Sequence, residues 1–353
     1  MRAARVIITA AAITWQAQTS GVTVRLRGVS AVSARVAWAS GARGTVLRTT
    51  DGGGTWQKLT VPGAEALDFR DVDATSDRSA YVLSIGSGEA SRIYKTVDAG
   101  AHWDLQFANT DPKVFLDAMT FRDDQHGVAF SDSVDGQFVI LTISNGRTWE
   151  RVPADRLPPA RAGEGAYAAS GTNIAMTAGR IWIGTTAGRV LRSIDDGRTW
   201  TIAETGVATG PSAGIFSIAF RDAQHGVVVG GDYRKESEAV DNVAWTSDGG
   251  TTWSLVKQSG LFGFRSVVAF AGGSSRATSL IAIGPSGADW SDDDGRTWKA
   301  VESAGFDTFS ATRDGRAGWA AGTNGRISRW SIRATVPRAV RGRVMDSSWR
   351  DID

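Results

Sequence analysis

Three arginines, Arg27, Arg70 and Arg265, stand near the head of short apolar runs that recur along the chain. Each is the second residue of an apolar-X-x-apolar pattern. Aligning the other copies puts Asp117, Ser217 and Asp307 at position X. The fourth copy, Gly163-Glu164-Gly165-Ala166-Tyr167, has no single register, and Glu164 or Gly165 takes the place. Arginine forks recognise carboxylate or phosphate oxygens bidentately. Such a set could bind a small anionic or sugar-like ligand, or a peptide segment. Two carboxyls facing each other across a cleft could instead be the acid and base of a glycoside hydrolase, with Asp117, Glu164 or Asp307 in those roles. The internal alternative is that these charges pair with one another and with channel water, because a closed core does not tolerate them unpaired.

Two loops add polar groups. Gly230-Gly231-Asp232-Tyr233-Arg234-Lys235-Glu236 interrupts the repeat with extra residues, and Tyr233 and Arg234 are candidate binding residues if it overhangs one face. Phe130-Ser131-Asp132-Ser133-Val134-Asp135-Gly136 is rich in carboxylates, but its spacing does not match an EF-hand loop, so no metal is expected. His126 and His225 sit in matching Arg-Asp-x-x-His-Gly turns, and that recurrence points to local structure rather than proton transfer.

The elements that must position these residues are set by a repeat. Thr49-Thr50-Asp51-Gly52-Gly53-Gly54-Thr55-Trp56 returns as TVDAGAHW ending at Trp103, TISNGRTW at Trp149, SIDDGRTW at Trp200, TSDGGTTW at Trp253 and SDDDGRTW at Trp298. A period of this length marks stacked supersecondary units. An apolar run such as Thr45-Val46-Leu47-Arg48 leads into each box. A second ends in small residues upstream, as in Val36 to Gly41, and a short run follows the tryptophan. Four short runs per unit, punctuated by Gly, Asp and Asn, predict antiparallel meanders, and radial repetition of them predicts an all-β propeller. The box falls between the third and fourth strands. Its Asp caps loop amides, its Gly supplies φ > 0, and its Trp buries a large apolar body. In the third copy Ser144 replaces the Asp and Asn145 follows, which predicts a modest local cost.

Six boxes mark six blades. A seventh unit, Phe306 to Ile332, has three strands and no box, whereas Thr14-Trp15-Gln16-Ala17 reads as an outer strand with no blade before it. The expectation is a seven-bladed propeller over 14–332, closed by an N-terminal strand. Residues 1–13 are a possible signal-like segment, with Arg2 and Arg5 before an apolar run from Val6 to Trp15, and an extracytoplasmic destination, periplasmic or secreted, is expected from it. The rival reading makes part of that run a strand. Residues 333–353, with Pro337 and no periodicity, are expected to form a flexible tail.

Composition narrows the function. Lys+Arg 39 against Asp+Glu 37 leaves a formal charge of +2, which argues against a nucleic-acid partner needing a concentrated basic face. The chain has no cysteine, so disulfides and thiolate chemistry are excluded. No stretch approaches the roughly 20 apolar residues of a membrane span. No Gly-rich dinucleotide fingerprint opens a helix, and no cofactor is expected. A monomer is expected.

The Ser/Thr-x-Asp-x-Gly-x-Thr-Trp repeat resembles the Asp-box, or bacterial neuraminidase repeat. Proteins with it include sialidases, xyloglucan-cleaving glucanases, sortilin-type receptors and the photosystem II assembly and stability factor family. A single seven-bladed chain with units such as Gly318-Trp319-Ala320-Ala321-Gly322 followed by Gly325-Arg326-Ile327 most resembles the last of these and its bacterial relatives. The likeness covers roughly 14–332. Sialidases carry an Arg-Ile-Pro motif and a Tyr–Glu nucleophile pair; the motif is absent here and no tyrosine has an evident Glu partner. The resemblance therefore implies a non-enzymatic protein-binding or assembly propeller, docking a protein or peptide segment at the channel mouth through Arg27, Arg70 and Arg265. The glycoside hydrolase is the alternative.

Overall fold

The computed structural model describes residues 12–258, 260–271, 278–301 and 304–333. Within them the chain forms seven four-stranded antiparallel sheets. In the first, Leu26–Ala31 is followed by Ala37–Gly41, Thr45–Thr49 and Gln57–Leu59, neighbour to neighbour from the hub outwards. The innermost strand of each sheet packs against that of the next, and Thr308–Ala311 of the seventh closes on Leu26–Ala31 of the first. This is a seven-bladed β-propeller. Second strands such as Ala37–Gly41 and Leu280–Gly284 are buried along their whole length, because each blade is covered on both faces by its neighbours. No helix among the described residues is long and apolar enough to cross a membrane.

The seventh sheet takes its outermost strand from the start of the chain. Ala12–Gln18 pairs with Ile327–Arg333, with Trp15 opposite Trp330 and Gln18 opposite Ile327. Trp15 stacks on Phe306 at 5.5 Å. The C-terminal part of the apolar leader is thus propeller, and pairing it removes a sheet edge. The remainder of the signal-like segment, 1–11, and of the tail, 334–353, lies outside the described residues.

Each box closes its hairpin with its own side chains. Asp51 Oδ1 accepts from the Thr55 amide at 3.0 Å and from the Thr49 hydroxyl at 2.9 Å, while the Gly53 amide donates to Thr49 Oγ1 at 2.9 Å. The same set recurs around Asp98, Asp195, Asp248 and Asp293. The Thr55 amide and the His102 amide hold the Asp51 and Asp98 carboxyls down at about 2. The third box departs from expectation. Asn145 Oδ1 accepts the Arg147 and Thr148 amides at 2.8 and 2.9 Å, so the acceptor is displaced by one residue rather than lost.

Innermost strands expose amides to the hub, and side chains of the preceding blade cap them. Ser310 Oγ accepts from Ala31, Ser30 Oγ from Ala74, Asp71 and Asp73 from Met119 and Phe121, and Ser217 Oγ from Val268, all at 2.8–3.0 Å. An orphaned buried amide costs about 1–3 kcal/mol, so these contacts keep adjacent blades in register.

The fourth blade breaks the pattern. Its innermost strand is Ile174–Thr177, not the Gly163–Tyr167 run expected from the alignment. Residues 166–172 instead cross the hub. Ala168 O accepts from Arg70 Nη1 at 2.8 Å and Ala169 O from Arg27 Nη1 at 3.4 Å. Ser170 Oγ donates to Ser266 O at 2.7 Å, Ser170 O accepts from Thr308 Oγ1 at 3.1 Å, and Thr172 O accepts the Ile218 amide at 2.9 Å. One segment is therefore bonded to blades one, two, five, six and seven. It plugs the channel and divides it into two cups.

Candidate functional site

The cup at the heads of the innermost strands has a volume of about 530 Å3. Its basic sector comes from blades one and two. Arg27 and Arg70 each sit at a β-bulge, where the ladder skips from Leu26 to Gly28 and from Phe69 to Asp71. The bulge leaves one residue unpaired and re-aims its side chain, here into the cup. Arg25 stands beside them. Arg25 is clamped by Asp307, with Nε donating to Oδ2 at 2.9 Å and Nη2 to Oδ1 at 2.6 Å. Arg70 Nε donates to Asp68 at 2.8 Å. Arg27 has no carboxylate partner among the described residues, and its single hydrogen bond is the long one to Ala169 O. Burial, with Arg70 and Arg25 beside it, pulls the Arg27 guanidinium down to about 10.

The acidic sector is in blade three. Asp117 occupies the third bulge, between Leu116 and Ala118, next to Asp132, and both line the cup. Asp117 is 1% exposed and its Oδ2 is buried without a hydrogen-bond partner. Burial, with Asp132 adding to it, pushes the Asp117 carboxyl well above the ordinary carboxylate range against the pull of the Ala166 and Asp132 amides. The third sector is aromatic. Tyr167 stacks on Phe216 at 3.9 Å, Tyr233 meets both edge-on at 6.0 and 6.1 Å, and Phe264 meets Phe216 at 4.6 Å.

The structure redistributes the residues aligned from sequence. Arg27, Arg70, Asp117, Tyr233 and Asp307 line one cup, whereas Arg234 does not line it and sits over the Tyr233 ring at 5.8 Å. Ser217 does not line it. The blade-five bulge lies between Ile215 and Ser217, so Phe216 takes the cup position and Ser217 turns to the blade junction. Arg265 is one residue off as well. It is 3% exposed and donates from Nε to Asp289 Oδ2 at 2.7 Å, inside blade six, and Ser266 lines the cup instead. A charged residue at an apolar position was unforeseen because the alignment assumed arginine belongs at the hub. Glu164 is also withdrawn. Arg189 and the Thr185 hydroxyl (2.7 Å) hold it, and although burial would raise its carboxyl, these partners and the Arg161 amide keep it below the usual range.

General acid–base chemistry would need a free carboxylate opposite Asp117. Asp307 lines the same cup, but the Arg25 fork occupies both its oxygens. Sequence reasoning missed Arg25, Asp132, Tyr167, Phe216 and Phe264. The signals were present: Asp132 in the carboxylate-rich loop, and Ile215-Phe216-Ser217-Ile218 as an equally good apolar-X-x-apolar run.

The cup at the opposite mouth is larger, about 710 Å3. Apart from Arg313, its charged groups are committed to structure. Asp71 and Asp73 cap amides of blade three, Arg221 grips Asp294 at 2.8 Å, and Asp314 accepts from Thr312 and the Arg316 amide. A buried, unpartnered carboxyl oxygen beside a cluster of arginines is found in the smaller cup.

No family model matches the chain, and no curated protein matches it by sequence. Among solved structures, it is similar to YCF48 bound to D1 peptide, at 15% identity and a TM-score of 0.63, over 90% of this chain and 96% of that one. It is likewise similar to YCF48 from Cyanidioschyzon merolae, at 17% identity and a TM-score of 0.62, over 90% and 98%. At these identities the shared property is the seven-bladed fold.

Proposed function

We propose that this chain is a non-enzymatic propeller that binds a peptide segment of a partner protein in the cup formed by Arg25, Arg27 and Arg70, with the plug as its floor. The observation that carries the reading is Arg27. A guanidinium drawn out of water among two others, with no carboxylate of its own, is costly for the free protein. An anionic side chain or chain terminus of a ligand supplies the missing partner bidentately. The aromatic wall adds apolar area at low entropic cost, as binding pockets use it. The YCF48 structure with a D1 peptide supports the reading, since a propeller of this shape has been seen with a peptide bound.

The test is an array of about ten-residue random peptides probed with the purified chain and with Arg27→Gln/Arg70→Gln. Peptides bearing Asp, Glu or a free carboxyl terminus should be retained by the wild type and lost by the variant, whose cooperative unfolding shows that it is folded. Equal retention by both proteins, or none by the wild type, removes the proposal.

A further inference from the structure

The cup holds two clusters of opposite charge that do not neutralise each other. Among the described residues no ion pair joins Arg25, Arg27 or Arg70 to Asp117 or Asp132. Leu116 and Ser131 are antiparallel register partners, and Asp117 and Asp132 flank that pair on the two strands. Both line the cup, the Ala166 amide pulls on both carboxyls, and the Asp132 amide pulls on that of Asp117. Two neighbouring carboxyls repel when ionised and raise each other's proton affinity, and a purely structural role would normally supply them with donors. Here the donors are few. Asp117 Oδ2 is buried with none. Gly165 passes so close to Asp132 that any Cβ there would overlap its carboxylate, so the chain entering the plug presses against Asp132 without covering it with a cation.

Next to the acid pair stands Tyr167, with Phe216 and Tyr233 behind it. Aromatic faces beside carboxyls favour a cationic guest, because the ring quadrupole and the carboxylates attract the same charge. The basic sector one blade away takes the opposite sign. We infer that the Asp117–Asp132 end of the cup, walled by Tyr167, Phe216 and Tyr233, is a subsite for a lysine or arginine side chain of the bound peptide. The inference rests on the peptide-binding reading above, whose acidic group occupies Arg27 and Arg70. The cup then selects a dipolar sequence, an acid and a base a few residues apart, rather than an acidic one.

The test uses fluorescent peptides blocked at both ends, built on an Ala/Ser background and measured by anisotropy with the full chain. One peptide series carries a Glu and a Lys at spacings of two to five residues. The others replace Lys by Gln, Glu by Gln, or both. At one spacing the Glu/Lys peptide should bind about ten-fold more tightly than the Glu/Gln peptide, as a charge-assisted contact in a partly desolvated pocket allows. Asp132→Asn and Asp117→Asn/Asp132→Asn should erase that difference and leave Glu/Gln binding unchanged. Should the double variant fail to fold, Asp132→Asn carries the test alone, since its carboxyl is only half-buried. Equal affinity for the Glu/Lys and Glu/Gln peptides, or discrimination that survives Asp132→Asn, overturns the subsite while leaving the acid requirement intact. Loss of any Glu dependence in the wild type overturns the subsite and the peptide reading together.

Discussion

Gln18 Oε1 accepts the indole N–H of Trp319 at 3.1 Å, across 301 positions of sequence. The same oxygen accepts from Trp56 Nε1 at 3.1 Å, and the amide nitrogen donates to Gly52 O at 2.8 Å. One side chain on the closing strand thus ties blade seven to the first box. Gln18→Ala leaves a fully buried indole N–H and a half-buried one without an acceptor. It should cost about 2–3 kcal/mol, read as a lower urea midpoint. An unchanged midpoint would mean that the latch draws its strength from strand pairing alone.

Asp73 links stability to pH. Burial raises its carboxyl to about 6, against the Phe121 amide and the Thr120 hydroxyl, which both donate to Oδ2. A raised folded-state pKa means that the folded chain binds the proton more tightly than the unfolded one. The stability this confers is complete below the unfolded value near 4 and is lost as pH rises through about 6. Its ceiling is about 3 kcal/mol for a two-unit difference, and partial exposure of Asp73 reduces it. Asp73→Asn keeps one oxygen for both donors. Its stability should fall less than that of the wild type between pH 4 and 6.5 in parallel urea titrations.

Arg27→Met should separate stability from binding. It removes a desolvated cation crowded by Arg25 and Arg70 and retains the aliphatic bulk. Melting should occur at the wild-type temperature or above it, by up to about 1 kcal/mol, while acidic peptides are no longer retained. A clearly lower midpoint would show that Arg27 supports the plug through Ala169 and is not held for a ligand.

Arg265 should behave oppositely. Arg265→Met strands Asp289 without its counter-ion inside blade six and should cost about 3–5 kcal/mol. Arg265→Met/Asp289→Leu should recover most of that loss. Peptide retention by the folded double variant should match the wild type, because neither side chain reaches the cup.

The third box offers a comparison within one molecule. Asn145→Ala removes the acceptor of two loop amides and should cost about 1 kcal/mol, whereas Ser144→Ala should be nearly silent. The reverse order would mean that the Ser144 hydroxyl carries the turn.

Much of this architecture was legible because it is periodic. The boxes close on themselves within eight residues, so their side chains specify the turn locally. Counting boxes against spare strands was enough to expect Thr14-Trp15-Gln16-Ala17 on the seventh sheet, since an unpaired outer edge is unfavourable wherever it occurs. The cup was legible only in part. Arg27, Arg70 and Asp117 were found because their bulges share one sequence pattern. Ser217 and Arg265 were misplaced because a one-residue change of register moves a side chain to the other face of a strand, and runs of mixed apolar and polar residues fit either register. The plug was illegible altogether. Ala166 to Thr172 carries no periodicity, and its course across the hub is decided by hydrogen bonds to five other blades that become neighbours only when the ring has closed. Local chemistry determined the blade; the meeting of distant blades decided which charges pair and which are left facing the cup.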